Sequence, residues 1–149
     1  MKSFARSLGE KQQAMDVYEY FRNDRYAALT DVMLLEAREG YARASMEIGE
    51  RHLNSAGTVQ GGAIFTLADL AFAAAVNACG RAAVSIQTSI WFHKGVGEGT
   101  LFAEAKAIKT GRNVATFNVD VTTGDGQSIA TFVATAYRKD IVLPFAAKP

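Results

Sequence analysis

The chain is poor in the residues that commonly pin small or metal-bound proteins. One cysteine, Cys79, occurs among 149 residues, which excludes an internal disulfide and any multi-cysteine zinc site. Two histidines, His52 and His93, are too few for a His-rich metal centre, so no metal is expected. Charge of one sign is also missing. Sixteen Lys and Arg against 15 Asp and Glu leave a net charge of +1, giving neither a basic field for nucleic acid nor an acidic tail. The one long apolar run, Ala63–Ala78, falls short of the about 20 residues a membrane span needs. It also carries Asp69 at its middle, where a carboxylate costs about 2.5–3.5 kcal/mol in a bilayer. The first residues, MKSFARSLGEKQQAMDVYEYF, hold early positive charge but no apolar h-region and no small-residue cleavage site. No membrane segment and no secretory signal are therefore expected, and a cytoplasmic location follows by default. Proline is nearly absent at 2 residues, which leaves glycine, at 13, as the main punctuation of the chain.

What is present has the pattern of one α+β domain. Residues 10–22 place Ala14, Val17, Tyr18 and Phe21 on one face, the spacing of an amphipathic helix. A short helical turn follows at Asp24–Leu29. The period then changes: Ala42, Ala44, Met46 and Ile48 alternate with Tyr41, Arg43, Ser45 and Glu47, a strand covered on one face. Asp31–Arg38 is its expected partner across Glu39-Gly40. Residues 49–60 are polar and irregular, and Gly61-Gly62 opens the apolar helix. Beyond Gly80 come four strands, at Ala82–Phe92, Leu101–Lys109, Asn113–Thr122 and Gln127–Arg138. Thr123-Gly-Asp-Gly126 and Lys109-Thr-Gly-Arg112 are hairpin signals, because glycine adopts the positive φ that such turns need. A helix apolar on nearly every side must be surrounded. The simplest solution is an antiparallel sheet of about six strands curled around it, and the edges of that sheet invite pairing with another copy.

The chemistry concentrates between His52 and Asp69. Gly61 and Gly62 open a helix, where free N–H groups and the positive dipole end favour a carbonyl oxygen that gains negative charge. Asp69 is the one ionisable residue on the apolar helix and needs a reason to be there. Asn54, in the preceding loop, is suited to orient water or a carbonyl. Gly62 and Asp69 are seven residues apart, on nearly the same face but ~10 Å apart along the axis, beyond the ~3 Å reach of a hydrogen bond. One chain therefore does not easily present both to one reacting atom. Two antiparallel copies can, so a symmetric dimer with two shared sites is expected.

Asn54, Gly57, Gln60-Gly61-Gly62 and Leu67-Ala68-Asp69 resemble the N-x-x-G-x-x-H-G-G-x-x-x-x-L-A-D signature of hotdog-fold thioesterases of the PaaI-like, phenylacetic-acid-degradation type. The resemblance spans about Asp24–Lys139 and includes the Gly97–Leu101 turn and the Lys109–Arg112 hairpin. It divides the chain into an N-terminal helical extension (1–23), a hotdog domain (24–140) and a C-terminal tail (141–149). It implies hydrolysis of acyl-coenzyme A thioesters in a homodimer, often paired into a homotetramer, with coenzyme A as part of the substrate and no bound cofactor. By position, Asp69 is the implied general base or nucleophile. Gly62, with Gly61, polarises the thioester carbonyl, Asn54 and Gln60 support it, and Ser85 stands where some relatives hold the attacking water. Lys109, Arg112 and Arg138 are candidates for the coenzyme A phosphates. Gln60 replaces the usual His, and Phe92-His93-Lys94-Gly95 lacks the usual proline. A non-catalytic acyl-CoA-binding protein on the same fold is the alternative, which Gln60 keeps open. A hydratase ranks lower, since His52 and His93 look like surface or edge residues. Trp91 and Phe92 are expected in the core or an interface, and Cys79 as a small buried hydrophobe. No G-x-S-x-G, G-x-x-x-x-G-K-[ST] or H-E-x-x-H motif competes.

Overall fold

A computed structural model of the chain describes residues 15–146. The described part of the first helix is α1 (Val17–Arg22), where the Asp16 side chain caps the start by accepting from the Glu19 N–H at 2.7 Å. The expected helix over 10–22 thus begins later: residues 15 and 16 are not helical, and 10–14 lie outside the described residues. Asp24 caps α2 (Arg25–Leu29) in the same way, at 3.0 Å from the Ala27 N–H. Each cap satisfies a donor that the first helical turn leaves unpaired.

Six strands follow the expected pattern: β1 (Val32–Arg38), β2 (Tyr41–Glu47), β3 (Arg81–Phe92), β4 (Thr100–Thr110), β5 (Val114–Thr123) and β6 (Ser128–Val142). Between β2 and β3 the chain forms α3 (Gly61–Asn77). The sheet order is β1-β2-β4-β5-β6-β3, antiparallel throughout. β3 thereby lies at one edge and β1 at the other. The sheet curls around α3, the hotdog arrangement expected from the sequence.

The alternation read from β2 holds: Ala42, Ala44 and Met46 are buried, and Leu101, Ala103 and Ala105 of β4 face the same way. Small residues dominate both sides of this contact. Ala68, Ala71 and Ala74 of α3 are fully buried, so helix and sheet approach closely. Aromatic bulk is supplied where Phe72 meets Phe117 and Phe132 at ring separations of 5.7 and 6.1 Å. Edge-on and tilted pairs of this kind suit the aromatic quadrupole. Among the described residues, no helix is long and apolar enough to cross a membrane.

Candidate active site

The loop that delivers α3 is tied down from both sides. Asn54 Oδ1 accepts from the N–H groups of Ala56 (2.9 Å) and Thr58 (3.2 Å), and its Nδ2 donates to Thr58 Oγ1 at 3.0 Å. This is the self-bonded turn that Asn favours. Gly57 sits inside it at φ +79°, a value that glycine adopts without strain. Leu53 and Val59 bridge its ends, and Gln60 N–H donates to His52 O at 2.8 Å. His52 is buried at 3% exposure, which corrects its reading as a surface or edge residue. Its Nδ1 accepts from Gly49 N–H at 2.9 Å and its Nε2 lies 2.7 Å from Thr30 O. Both ring nitrogens are therefore used in joining the loop to the end of α2.

Gln60 is the N-cap of α3, and its Oε1 accepts from the Gly62 N–H. The donor expected to polarise a substrate carbonyl is thus held by a side-chain amide carbonyl, a group of the same shape and polarity. The Gly61 N–H has no such partner among the described residues. Gly61 is glycine for a packing reason as well: a Cβ there would lie 3.1 Å from the Phe92 ring. Phe92 and Trp91 remain 53% and 54% exposed, so neither is a core residue of the single chain.

Asp69 lies two turns further along α3, half-buried between buried Ala68 and Leu70. Burial raises its carboxyl above the ordinary aspartate value, and the negative charge of Asp24 adds to the rise. Both effects oppose ionisation. Asp24 is the residue that sequence reading missed. Its position before Arg25-Tyr26-Ala27 signals a helix cap, but nothing local signals that α2 folds back towards α3.

Ser85 pairs with Ala136, whose side chain is buried, so Ser85 stands on the concave, helix-facing side of the sheet. It is exposed there. The expected phosphate-binding group gathers at the opposite end of α3 from Gly61. Lys109 and Arg112 flank the exposed β4–β5 hairpin, and Arg81 joins it to the end of β6 by donating to Arg112 O (2.7 Å) and Lys139 O (2.8 Å). Arg138 departs from expectation. It is 8% exposed, with Nη1 at 3.5 Å from Cys79 Sγ, so its guanidinium points into the fold rather than towards a solvent anion. The strand alternation that puts Tyr137 outside turns Arg138 inwards. Cys79 in turn is only partly covered.

One chain therefore brings together Asn54, Gln60, Gly61 and Gly62 at one end of α3. Asp69 lies midway, and Lys109 and Arg112 stand at the far end, about 25 Å away for a 17-residue helix. Among the described residues, no group of three His, Cys, Asp or Glu is placed to hold a metal.

The sequence profile of the Thioesterase superfamily matches residues 56–130, just over half of the chain. A protein of Archaeoglobus fulgidus that carries an esterase name is 40% identical over 139 residues, covering 92% of this chain and 90% of the relative. The acyl-coenzyme A thioesterase PaaI of Escherichia coli is 30% identical over 128 residues, covering 85% of this chain and 89% of that one. The solved structure of the E. coli PaaI protein, from the phenylacetic acid degradation operon, superposes with a TM-score of 0.82 at 26% identity, over 86% of this chain and 94% of that chain. With the curled six-stranded sheet, the central helix and the Gly-Gly helix start carrying one carboxylate, the chain belongs to the thioesterase superfamily as a PaaI-like hotdog thioesterase.

Proposed function

We propose that the chain hydrolyses acyl-coenzyme A thioesters at sites shared between two copies. The observation that carries this is the half-buried Asp69, the sole ionisable group on α3, ~10 Å along the axis from the Gly62 N–H. In an antiparallel pair, the Gly61–Gly62 end of one copy faces Asp69 of the other. The thioester carbonyl displaces Gln60 Oε1 from the Gly62 N–H, and Gln60, once turned, offers its amide N–H instead. Asp69, as carboxylate, takes a proton from water while the water oxygen bonds to the carbonyl carbon. Negative charge moves onto the carbonyl oxygen, against Gly62 and Gly61 N–H at the positive end of the helix. The C–S bond then breaks, and coenzyme A leaves as thiolate to be protonated. Attack by the Asp69 carboxylate itself, through an anhydride opened later by water, uses the same groups.

Edge strand β3 is the surface through which two copies join in this reading. Val84, Ile86, Trp91 and Phe92 are all exposed on it, and an exposed apolar edge strand pairs readily. Antiparallel pairing about the middle of β3 sets Arg81 of one copy near Phe92 of the other. That brings the Lys109 and Arg112 end of one copy towards the Gly end of its partner, where coenzyme A phosphates would emerge. Arg138 is left out of that role by its burial.

The Gln60 cap on Gly62 also favours a second reading, acyl-CoA binding without turnover. Thiol release from a panel of acyl-CoA thioesters decides between them. Wild type is expected to turn over, and Asp69→Ala to lose about 10²–10⁴-fold in kcat/KM, the usual share of a general base. Equal rates for the two proteins reject the assignment of Asp69. Thermal stabilisation by acyl-CoA with no thiol release supports binding alone.

A further inference from the structure

His52 is a buried ring that takes no part in the chemistry above, yet it stands in the segment that delivers Asn54 and Gln60. Its hydrogen bonds fix its form. The Gly49 N–H can only donate, so Nδ1 is the accepting nitrogen. The proton then sits on Nε2, which donates to Thr30 O. The backbone of the same residue holds the helix start, since His52 O accepts from the Gln60 N–H. Gln60 in turn caps α3 at Gly62. One path of hydrogen bonds thus runs from Thr30 through His52 to Gln60 and the Gly61–Gly62 donors.

The far end of that path is itself held. Thr30 Oγ1 donates to Ala27 O at 3.0 Å. Among the described residues, Asp31 is the one non-glycine residue at positive φ, +56°, a conformation that persists where its surroundings over-determine it. Arg51 supplies that restraint: its Nη1 donates to Leu29 O at 3.0 Å and lies 3.4 Å from the Asp31 carboxylate. Two consecutive side chains, Arg51 and His52, therefore grip the turn from α2 into β1. Asn54 shapes the loop from within, through Ala56 and Thr58, but that leaves the loop free to shift as a unit. The Val59 N–H anchors it to Val96 O on one side, and the His52 ring anchors it on the other. We propose that His52 is a positioning residue, whose neutral ring sets where Gln60 and the Gly61–Gly62 N–H groups stand when charge develops on the thioester oxygen. The proposal rests on the acyl-CoA reading above. Donors placed in advance act on the transition state more than on the bound substrate, so the effect belongs in kcat.

Steady-state thiol release by wild type, His52→Ala and His52→Gln tests this. His52→Gln carries an amide N–H that replaces Nε2–H towards Thr30 O. His52→Ala is expected to lose about 10–100-fold in kcat, as a displacement of about 1 Å costs, with KM within about threefold of wild type. His52→Gln recovers most of that loss. If His52→Ala does not fold, His52→Asn, which keeps an acceptor for Gly49 but does not reach Thr30, takes its place. A lowered Tm with kcat unchanged shows a structural role only and overturns the proposal, as does a loss confined to KM or one that His52→Gln does not repair. If wild type hydrolyses no thioester, the parent reading fails instead. Exchange of the Gln60 amide proton, followed by NMR, then decides the positioning role: about tenfold faster exchange in His52→Ala supports it, and an equal rate overturns it.

Discussion

Asp69 and Asp24 give the site a pH dependence whose sign is determined. Burial and the Asp24 charge both raise the Asp69 carboxyl above the ordinary aspartate value. The acid limb of kcat/KM reports the free enzyme's base, so it is expected above the ordinary aspartate range. Asp24→Asn keeps the α2 cap, since Asn caps as well as Asp, but removes the charge. It should move the acid limb to lower pH, and an unmoved limb rules out coupling between the two carboxyls. Stability follows the same shift in reverse. Below the unfolded-state value both states hold the Asp69 proton and it costs nothing. As pH rises from there through the raised folded-state value, the unfolded chain ionises first and folding is penalised. Asp69→Asn is therefore expected to raise Tm at pH 8 and to leave it unchanged near pH 3. A lower Tm at pH 8 would show that the carboxylate stabilises the fold.

At the level of elements, α3 depends on what surrounds it more than on any face of its own. It ends at Asn77 with Ala78 as its cap, and just beyond, Gly80 turns the chain at φ +86°, where a Cβ would lie 2.4 Å from that of Ala146. Gly80 O also accepts from the Leu143 N–H at 2.8 Å, so the segment after β6 closes over the end of the helix. Gly80→Ala meets both a left-handed backbone and a clash. It is expected to cost about 1–3 kcal/mol in urea unfolding. Both hairpins form where Thr123-Gly124-Asp125-Gly126 and Lys109-Thr110-Gly111-Arg112 signalled them, but the expected positive φ is found only at Gly126, at +87°; Gly111 is glycine for close approach instead, since a Cβ there would lie 2.8 Å from Val114 O. The start of α1 was less legible. Apolar spacing extends back to residue 10, but Asp16 competes by accepting from the Glu19 N–H, and a cap marks a helix start more sharply than periodicity does.

At the scale of the whole molecule, two edges of the sheet differ. β1 is flanked by α1 and α2, while β3 exposes Val84, Ile86 and Trp91. Ile86→Lys puts a charge on that open edge, a common natural guard against pairing. Sedimentation is expected to show a dimer for wild type and a monomer for this variant, with thioester hydrolysis lost alongside. A monomeric variant with full activity would end the shared-site reading. Complementation tests it from the other direction. Asp69→Asn and Gly62→Val subunits, each inactive alone, are expected to recover about a quarter of wild-type activity when mixed and re-associated, since half of the pairs regain one of their two sites.

The residue order alone determined the element boundaries within a few positions, the α+β class and the one carboxylate on an apolar helix beginning Gly-Gly. These are local properties: side-chain period, turn chemistry and caps act over fewer than about ten residues. It also put Gly62 and Asp69 about 10 Å apart along one helix, the ground for proposing a site shared between two copies, because helix rise is the same in every protein. Tertiary structure decided the rest. Curling the sheet carried β3 to the edge beside β6, turned Arg138 onto Cys79, and buried His52 between the loop and α2. It also brought Asp24, distant in sequence, near enough for its charge to raise the Asp69 carboxyl. Each of these pairs residues far apart along the chain. Such contacts are selected by how apolar faces close around α3, which no local pattern encodes.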